Sequence, residues 1–377
     1  MTNVFDYLMW RGDLSLPASP FNDVDALILS ALSYIRFDGI VEESMEKRIS
    51  IGEMAERFLS RPQMEWKLRI SEDEKLLRAL QNSQRFQSME LCGYVDKRDL
   101  RTEKQFSAMT VLTEDGNVFA VFRGTDYSLV GWKENFNMCF MDDVPAQKDA
   151  AAYLAAVADA FPERALRVGG HSKGGNLAVY GAAMCPEDVQ ERIGVVYNFD
   201  GPGFRQPVLE RTGYLNILPR LRTFLPQFSV VGMLLEQKGE NIVIHSNEHG
   251  IMQHELYSWE VLGADFVRLE SLEEKSWFLD STMTLWLEGV SEEQREFFVE
   301  TVYKAISTAH KDGEEEILVS PRIVFNALQA LIGEDEATKR KMGDSMKLLL
   351  QAAKQTAAEY ASLPGMGIGE RRNQNEK

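Results

Sequence analysis

The chain has 377 residues, 44% hydrophobic and 26% charged, enough for one large core or for two or three units around one. Its 58 acidic residues against 41 basic ones leave a formal net charge of -17, which opposes general nucleic-acid binding and charge-driven docking on anionic lipid. No apolar run reaches membrane-span length, and three scattered cysteines, Cys92, Cys139 and Cys185, give no disulfide framework and fit a reducing compartment.

The opening MTNVFDYLMWRGD places Asp6 early, with no basic segment before an apolar stretch. No signal peptide is read there, and the cytoplasm is the default expectation. The first third reads as helical. Phe21 to Ile35 offers Asn22 and Asp23 as caps before an apolar run, and Met45 to Leu59 and Glu72 to Gln81 carry apolar residues at helical spacing. The centre changes character. Phe106 to Thr113 is strand-like, Asp115-Gly116 is a hairpin signal, and Val118 to Phe122 is a second strand leading into the loop RGTD. Lys148 to Phe161 is an alanine-rich helix. Leu166 to Val168 is a short strand, Asn176 to Met184 a small-residue helix, and Ile193 to Phe199 and Ile242 to Ile244 are further strands. From about Glu270 the chain is again charged amphipathic helix, through Glu292 to Thr308 and Arg322 to Ile332 to Ala353, before a polar tail.

Alternating strands and helices in the centre predict a mostly parallel α/β sheet. The expected organisation is a helical segment over 1–80 packed on the core, an α/β core over 81–265, a helical segment over 266–360 and a disordered tail over 361–377.

Between the strand ALRV and the small-residue helix lies Gly170-His171-Ser172-Lys173-Gly174, a G-x-S-x-G pattern. A serine on so tight a strand-to-helix turn needs glycine two residues before and after it, and the turn lifts its hydroxyl towards the positive end of the helix. These glycines fit neither the phosphate-loop nor the dinucleotide pattern. A serine nucleophile needs two amide donors for a developing oxyanion. One comes from the next residue, Lys173, and the loop after VFAVF offers Gly124-Thr125 for the other.

FRGT followed by a tryptophan and then a GHSxGG turn resembles the class 3 lipases, an α/β-hydrolase group, over roughly Phe106 to Trp259. The opening DYLMWRGDLSLPASPFNDVDALIL, together with GHSKGGNLAVY, NFDGPGF and QHELYSW, is similar to a bacterial family of lipase-like proteins. The resemblance implies an α/β-hydrolase fold, Ser172 in the nucleophile position and Thr125 in the oxyanion position. Class 3 lipases usually place an apolar residue after the serine. Lys173 therefore has two readings: a cation facing an anionic or polar acyl substrate, or a helix-terminal lysine paired with a nearby carboxylate.

The α/β-hydrolase order is serine, then acid, then histidine. Of five histidines, His171 lies inside the turn and His310 on an amphipathic helix, leaving His245, His249 and His254. The resemblance of QHELYSW to the lipase base region points to His254. No aspartate lies between Gly201 and His254, and the lipase acid position falls in LPQFSVVG, which has no carboxylate. Asp200, directly after IGVVYNF, is the preferred acid and Glu236 the fallback. Asp200 also reads as an Asx turn into Gly-Pro-Gly.

The expected function is ester hydrolysis by a Ser-His-Asp triad on a small-molecule or lipid acyl ester, with no cofactor and no metal. The alternative is an inactive α/β-hydrolase-fold ligand-binding or interaction protein. His245 to His249 also matches the zinc signature H-x-x-E-H, but it follows a β-branched stretch instead of lying on a helix. PQFSVVGMLLEQKGE reads as core or, less simply, as a mobile cover.

Overall fold

A computed structural model describes residues 2–66, 68–126, 128–138, 140–309 and 335–362. His310, the helix expected over Arg322 to Ile332 and the tail from 363 lie outside the described residues.

In chain order the elements are α1 (Val4–Arg11), α2 (Asp23–Leu32), β1 (Ile49–Ser50), α3 (Ile51–Leu59), α4 (Ser71–Gln81), β2 (Glu90–Asp99), β3 (Lys104–Leu112) and β4 (Val118–Phe122). Then come α5 (Leu129–Asn137), α6 (Pro145–Ala160), β5 (Leu166–His171), α7 (Lys173–Met184), α8 (Glu187–Glu191), β6 (Ile193–Phe199), α9 (Gln206–Leu209), α10 (Thr212–Ile217), β7 (Leu221–Pro226) and β8 (Asn241–Ile244). The short strands β9 (Val261–Leu262), β10 (Asp265–Phe266) and β11 (Arg268–Leu269) precede, among the described residues, the long helices α11 (Glu274–Gly289), α12 (Glu292–Ala309) and α13 (Glu336–Ser362).

Among the described residues one sheet has the order β1-β2-β3-β4-β5-β6-β7-β8-β11. Strands β4 to β8 run parallel, and the pairs from β1 to β4, with β11 on β8, are antiparallel. The sheet is buried on both faces, and β4 shows how. Its Phe119 and Val121 join the core beneath α1 to α4, while Val118, Ala120 and Phe122 join the core beneath α6, α7 and α10. Period-two alternation thus feeds two apolar layers from one strand.

Helix α2 starts where its cap dictates. Asn22 Oδ1 accepts from the amides of Val24 and Asp25, and the Asp25 carboxylate accepts from the Asn22 amide. The helix expected from Met45 begins only at Ile51, because Ile49–Ser50 pairs with β2 and Ser50 then caps α3. Buried Arg85 bonds Asp25 through Nε at 2.7 Å and Nη2 at 2.5 Å, and satisfies the carbonyls of Leu14, Ser19 and Pro20. No helix among the described residues is long and apolar enough to cross a membrane.

Candidate active site

The Gly-x-Ser-x-Gly turn sits between β5 and α7, at the carboxyl end of the parallel strands. Ser172 has φ 58° and ψ -133°, a left-handed conformation that a non-glycine residue adopts only when its surroundings enforce it. The enforcing contacts are visible. The Ser172 amide donates to the Phe199 carbonyl at 2.9 Å, and the Ser172 carbonyl accepts from the Gly175 amide at 2.9 Å. A Cβ on Gly170 would overlap Gly174 and the Phe122 carbonyl, and one on Gly174 would overlap Phe122 and the Gly124 amide. Both glycines are therefore required by close backbone approach, and the same approach brings the Gly124-Thr125 loop against the turn. Ser172 remains half-buried.

His254 ends a short 3-10 turn, and its ring faces Asp200, with Nδ1 2.6 Å from Oδ2. A carboxylate only accepts, so Nδ1 carries the proton of this bond. Asp200 is fully buried just past β6, with φ 50°. Its Oδ1 accepts from the Ser229 hydroxyl at 2.5 Å and from the Gly232 amide at 3.1 Å. The stretch QFSVVG directly after β7, which carries no carboxylate of its own, thus supplies two donors to the carboxylate after β6. A Cβ on Gly232 would collide with Asp200 Oδ1, so glycine is needed there. These bonds anchor the start of PQFSVVGMLLEQKGE to the site. Glu236 is exposed and pairs through its backbone with Phe204.

His171 performs a different task. Its Nε2 lies 2.8 Å from the His254 carbonyl, and its Nδ1 lies 2.8 Å from the Tyr34 hydroxyl. The carbonyl fixes the proton on Nε2, so Tyr34 donates to Nδ1. Burial, then the neighbouring His254, hold the His171 pKa well below the usual histidine range, so this imidazole is neutral. The His171 and His254 ring centroids are 4.5 Å apart. The residue before Ser172 therefore lies directly beside the histidine that faces Asp200.

The adjoining residue is held from the N-terminal layer. Arg69 grips Glu255 through both terminal nitrogens, and the Tyr257 hydroxyl donates to Asp73 at 2.9 Å. Lys173 is buried, with Nζ 2.8 Å from Glu134 Oε2 and 2.7 Å from the Gln105 carbonyl. Of the two readings of Lys173, the structure shows the paired carboxylate. Thr125 is half-buried, and its Oγ1 accepts from Asn135 Nδ2 at 2.6 Å.

The remaining candidates lie apart. His245 follows β8 and pairs with Glu260 at 2.6 Å, on a strand end and not on a helix, and His249 is exposed. Among the described residues no group of three or more His, Cys, Asp or Glu side chains is arranged to hold a metal ion. Cys92 and Cys185 are buried free thiols.

A mixed sheet, parallel through its centre, with a strained serine between β5 and α7, defines a lipase-like α/β-hydrolase fold. The Mbeg1-like family model matches residues 80–304, and the chain belongs to that family. Among solved structures it is similar to a mutant form of MDLA from Penicillium cyclopium, with 15% identity and a TM-score of 0.37 over 64% of this chain and 83% of that one. It is also similar to the Lip2 lipase from Yarrowia lipolytica, with 14% identity and a TM-score of 0.34 over 50% and 73%. The Rhizomucor miehei lipase propeptide complex shows 16% identity and a TM-score of 0.30 over 43% of this chain, and the match spans only 58% of that lipase. No curated protein matches the sequence.

Proposed function

We propose that the protein is a serine hydrolase that cleaves a carboxylic ester through Ser172, His254 and Asp200. The observation that carries this reading is the 2.6 Å bond from His254 Nδ1 to buried Asp200, at the end of the sheet where Ser172 is held strained. That bond leaves Nε2 as the base. In the reaction, Nε2 takes the proton from Ser172 Oγ as the oxygen attacks the acyl carbon. The amides of Lys173, first residue of α7, and Thr125 stabilise the oxyanion. His254 then returns the proton to the leaving alcohol, and water, deprotonated by the same imidazole, releases the acid. The chemistry draws on no cofactor and no metal.

Two exposed apolar side chains, Ile251 and Met252, stand just before His254 and suit an apolar acyl group at the rim. The test is fluorophosphonate labelling of wild type and Ser172→Ala, read by intact mass, with hydrolysis of p-nitrophenyl esters alongside. One adduct on wild type alone, and a loss of about 10³-fold or more in kcat for Ser172→Ala, are expected. No adduct on wild type would overturn the hydrolase and leave an α/β-hydrolase-fold binding protein.

A further inference from the structure

We propose that Glu134 and Lys173 are positioning residues that set the separation of the two oxyanion amides, an inference that rests on the hydrolase reading above. Helix α5 begins a few residues after Thr125 and lies against the start of α7. Two consecutive residues of this helix each hold one carrier of a donor amide. Glu134 Oε2 accepts from Lys173 Nζ at 2.8 Å, and Asn135 Nδ2 donates to Thr125 Oγ1 at 2.6 Å.

The Glu134 carboxylate is fully occupied. Oε2 also accepts from the Gln105 amide at 3.0 Å, and Oε1 accepts from the Ala146 amide at 2.9 Å. Lys173 Nζ in turn donates to the Gln105 carbonyl at 2.7 Å. One buried carboxylate therefore ties β3, α5, α6 and the first residue of α7 together.

Stability alone does not call for such a pair. Desolvating two charges costs as much as their attraction returns, and well-packed apolar side chains of the same volume generally serve as well. A buried ion pair adds direction: it fixes where its two backbones stand. Here those backbones belong to the residue after the nucleophile and to the helix that braces Thr125. An oxyanion hole acts through donors preset for the transition state, so a small drift in their spacing lowers kcat and leaves ground-state binding alone.

The experiment uses the full chain and two variants. Glu134→Asp keeps both charges and shortens the tether by one methylene. The double variant Lys173→Met with Glu134→Gln replaces the ion pair by neutral side chains of similar size. Each is compared with wild type for p-nitrophenyl ester kcat and KM, for inhibition by a boronic acid that forms a tetrahedral adduct, and for melting temperature. A fall in kcat of about tenfold to a hundredfold is expected, with a parallel weakening of the boronic acid and KM within about threefold, smaller than the loss on removing a donor outright. A folded variant of either kind with wild-type kcat and boronate affinity would overturn the proposal. So would equal changes in kcat and in melting behaviour with no selective loss of the boronate. If Glu134→Asp alone folds, it decides the matter. Failure of the hydrolase reading is distinguished at wild type, where Ser172 would take no phosphonate and esters would stay intact.

Discussion

The two helical ends of the chain look alike in sequence and are built into the molecule in different ways. Both carry charged residues between apolar ones. The first end, α1 to α4, forms a full layer over one face of the sheet and shares a single apolar core with β4, β6 and β7. The other, α11 to α13, has a small cluster of its own around Trp286, Val290 and Ala352. Among the described residues its contacts with the rest include Lys133 with Glu300 and the Glu273 amide on the Gln227 carbonyl. Amphipathic pattern shows that a helix has a face to bury; it does not show against what. The N-terminal layer, through Arg69 and Asp73, also reaches the loop carrying His254.

The sharpest test of this contrast is Arg85→Met. It leaves Asp25 buried without its cation and frees the carbonyls of Leu14, Ser19 and Pro20, so a loss of about 3–5 kcal/mol in unfolding free energy is expected by denaturant titration. A loss below about 1 kcal/mol would place the N-terminal layer on the same footing as the C-terminal helices. A pH comparison follows. The native His171 pKa is depressed by burial, whereas in the unfolded chain it lies near 6.5, so unfolding takes up a proton below that pH. Stability contributed by neutral His171 is present above about 6.5 and lost as pH falls, by up to about 1.4 kcal/mol per pH unit. Wild type is expected to lose more stability than His171→Gln between pH 7.5 and 5.5; parallel curves would refute it. Tyr34→Phe removes one donor from His171 and is expected to cost about 1 kcal/mol, together with a measurable drop in ester turnover. Smallest is Glu300→Gln on the C-terminal side, where the carboxylate is 54% exposed and a change below about 1 kcal/mol is expected in the same titration.

Much of the candidate site was legible in sequence where its parts are local. The glycines around Ser172 announce a tight turn by themselves, and Asp200 emerged because few carboxylates stand between β6 and His254. What escaped is long-range. Tyr34 and His171 are 137 positions apart, and nothing local marks Ser229, Glu134 or Asn135 as supports. Strand β2 was hidden for another reason. It reads ELCGYVDKRD, with a charged end, and its pairing with β3 shifts register between Cys92 and Val95, around Gly93 at φ 63°. A strand that is bulged and charged loses the alternation by which strands are recognised.

The backbone of Asp200 carries a further consequence. At φ 50° it stands where only glycine and the short polar residues Asn and Asp sit with little penalty. Asparagine would meet the demand of shape and, in the proposed reaction, fail that of charge, since an amide cannot balance the imidazolium that the proton transfer would form. Glutamate would carry the charge on a longer arm from a backbone it strains. Conformation and the proposed chemistry thus filter the same position separately, and aspartate meets both.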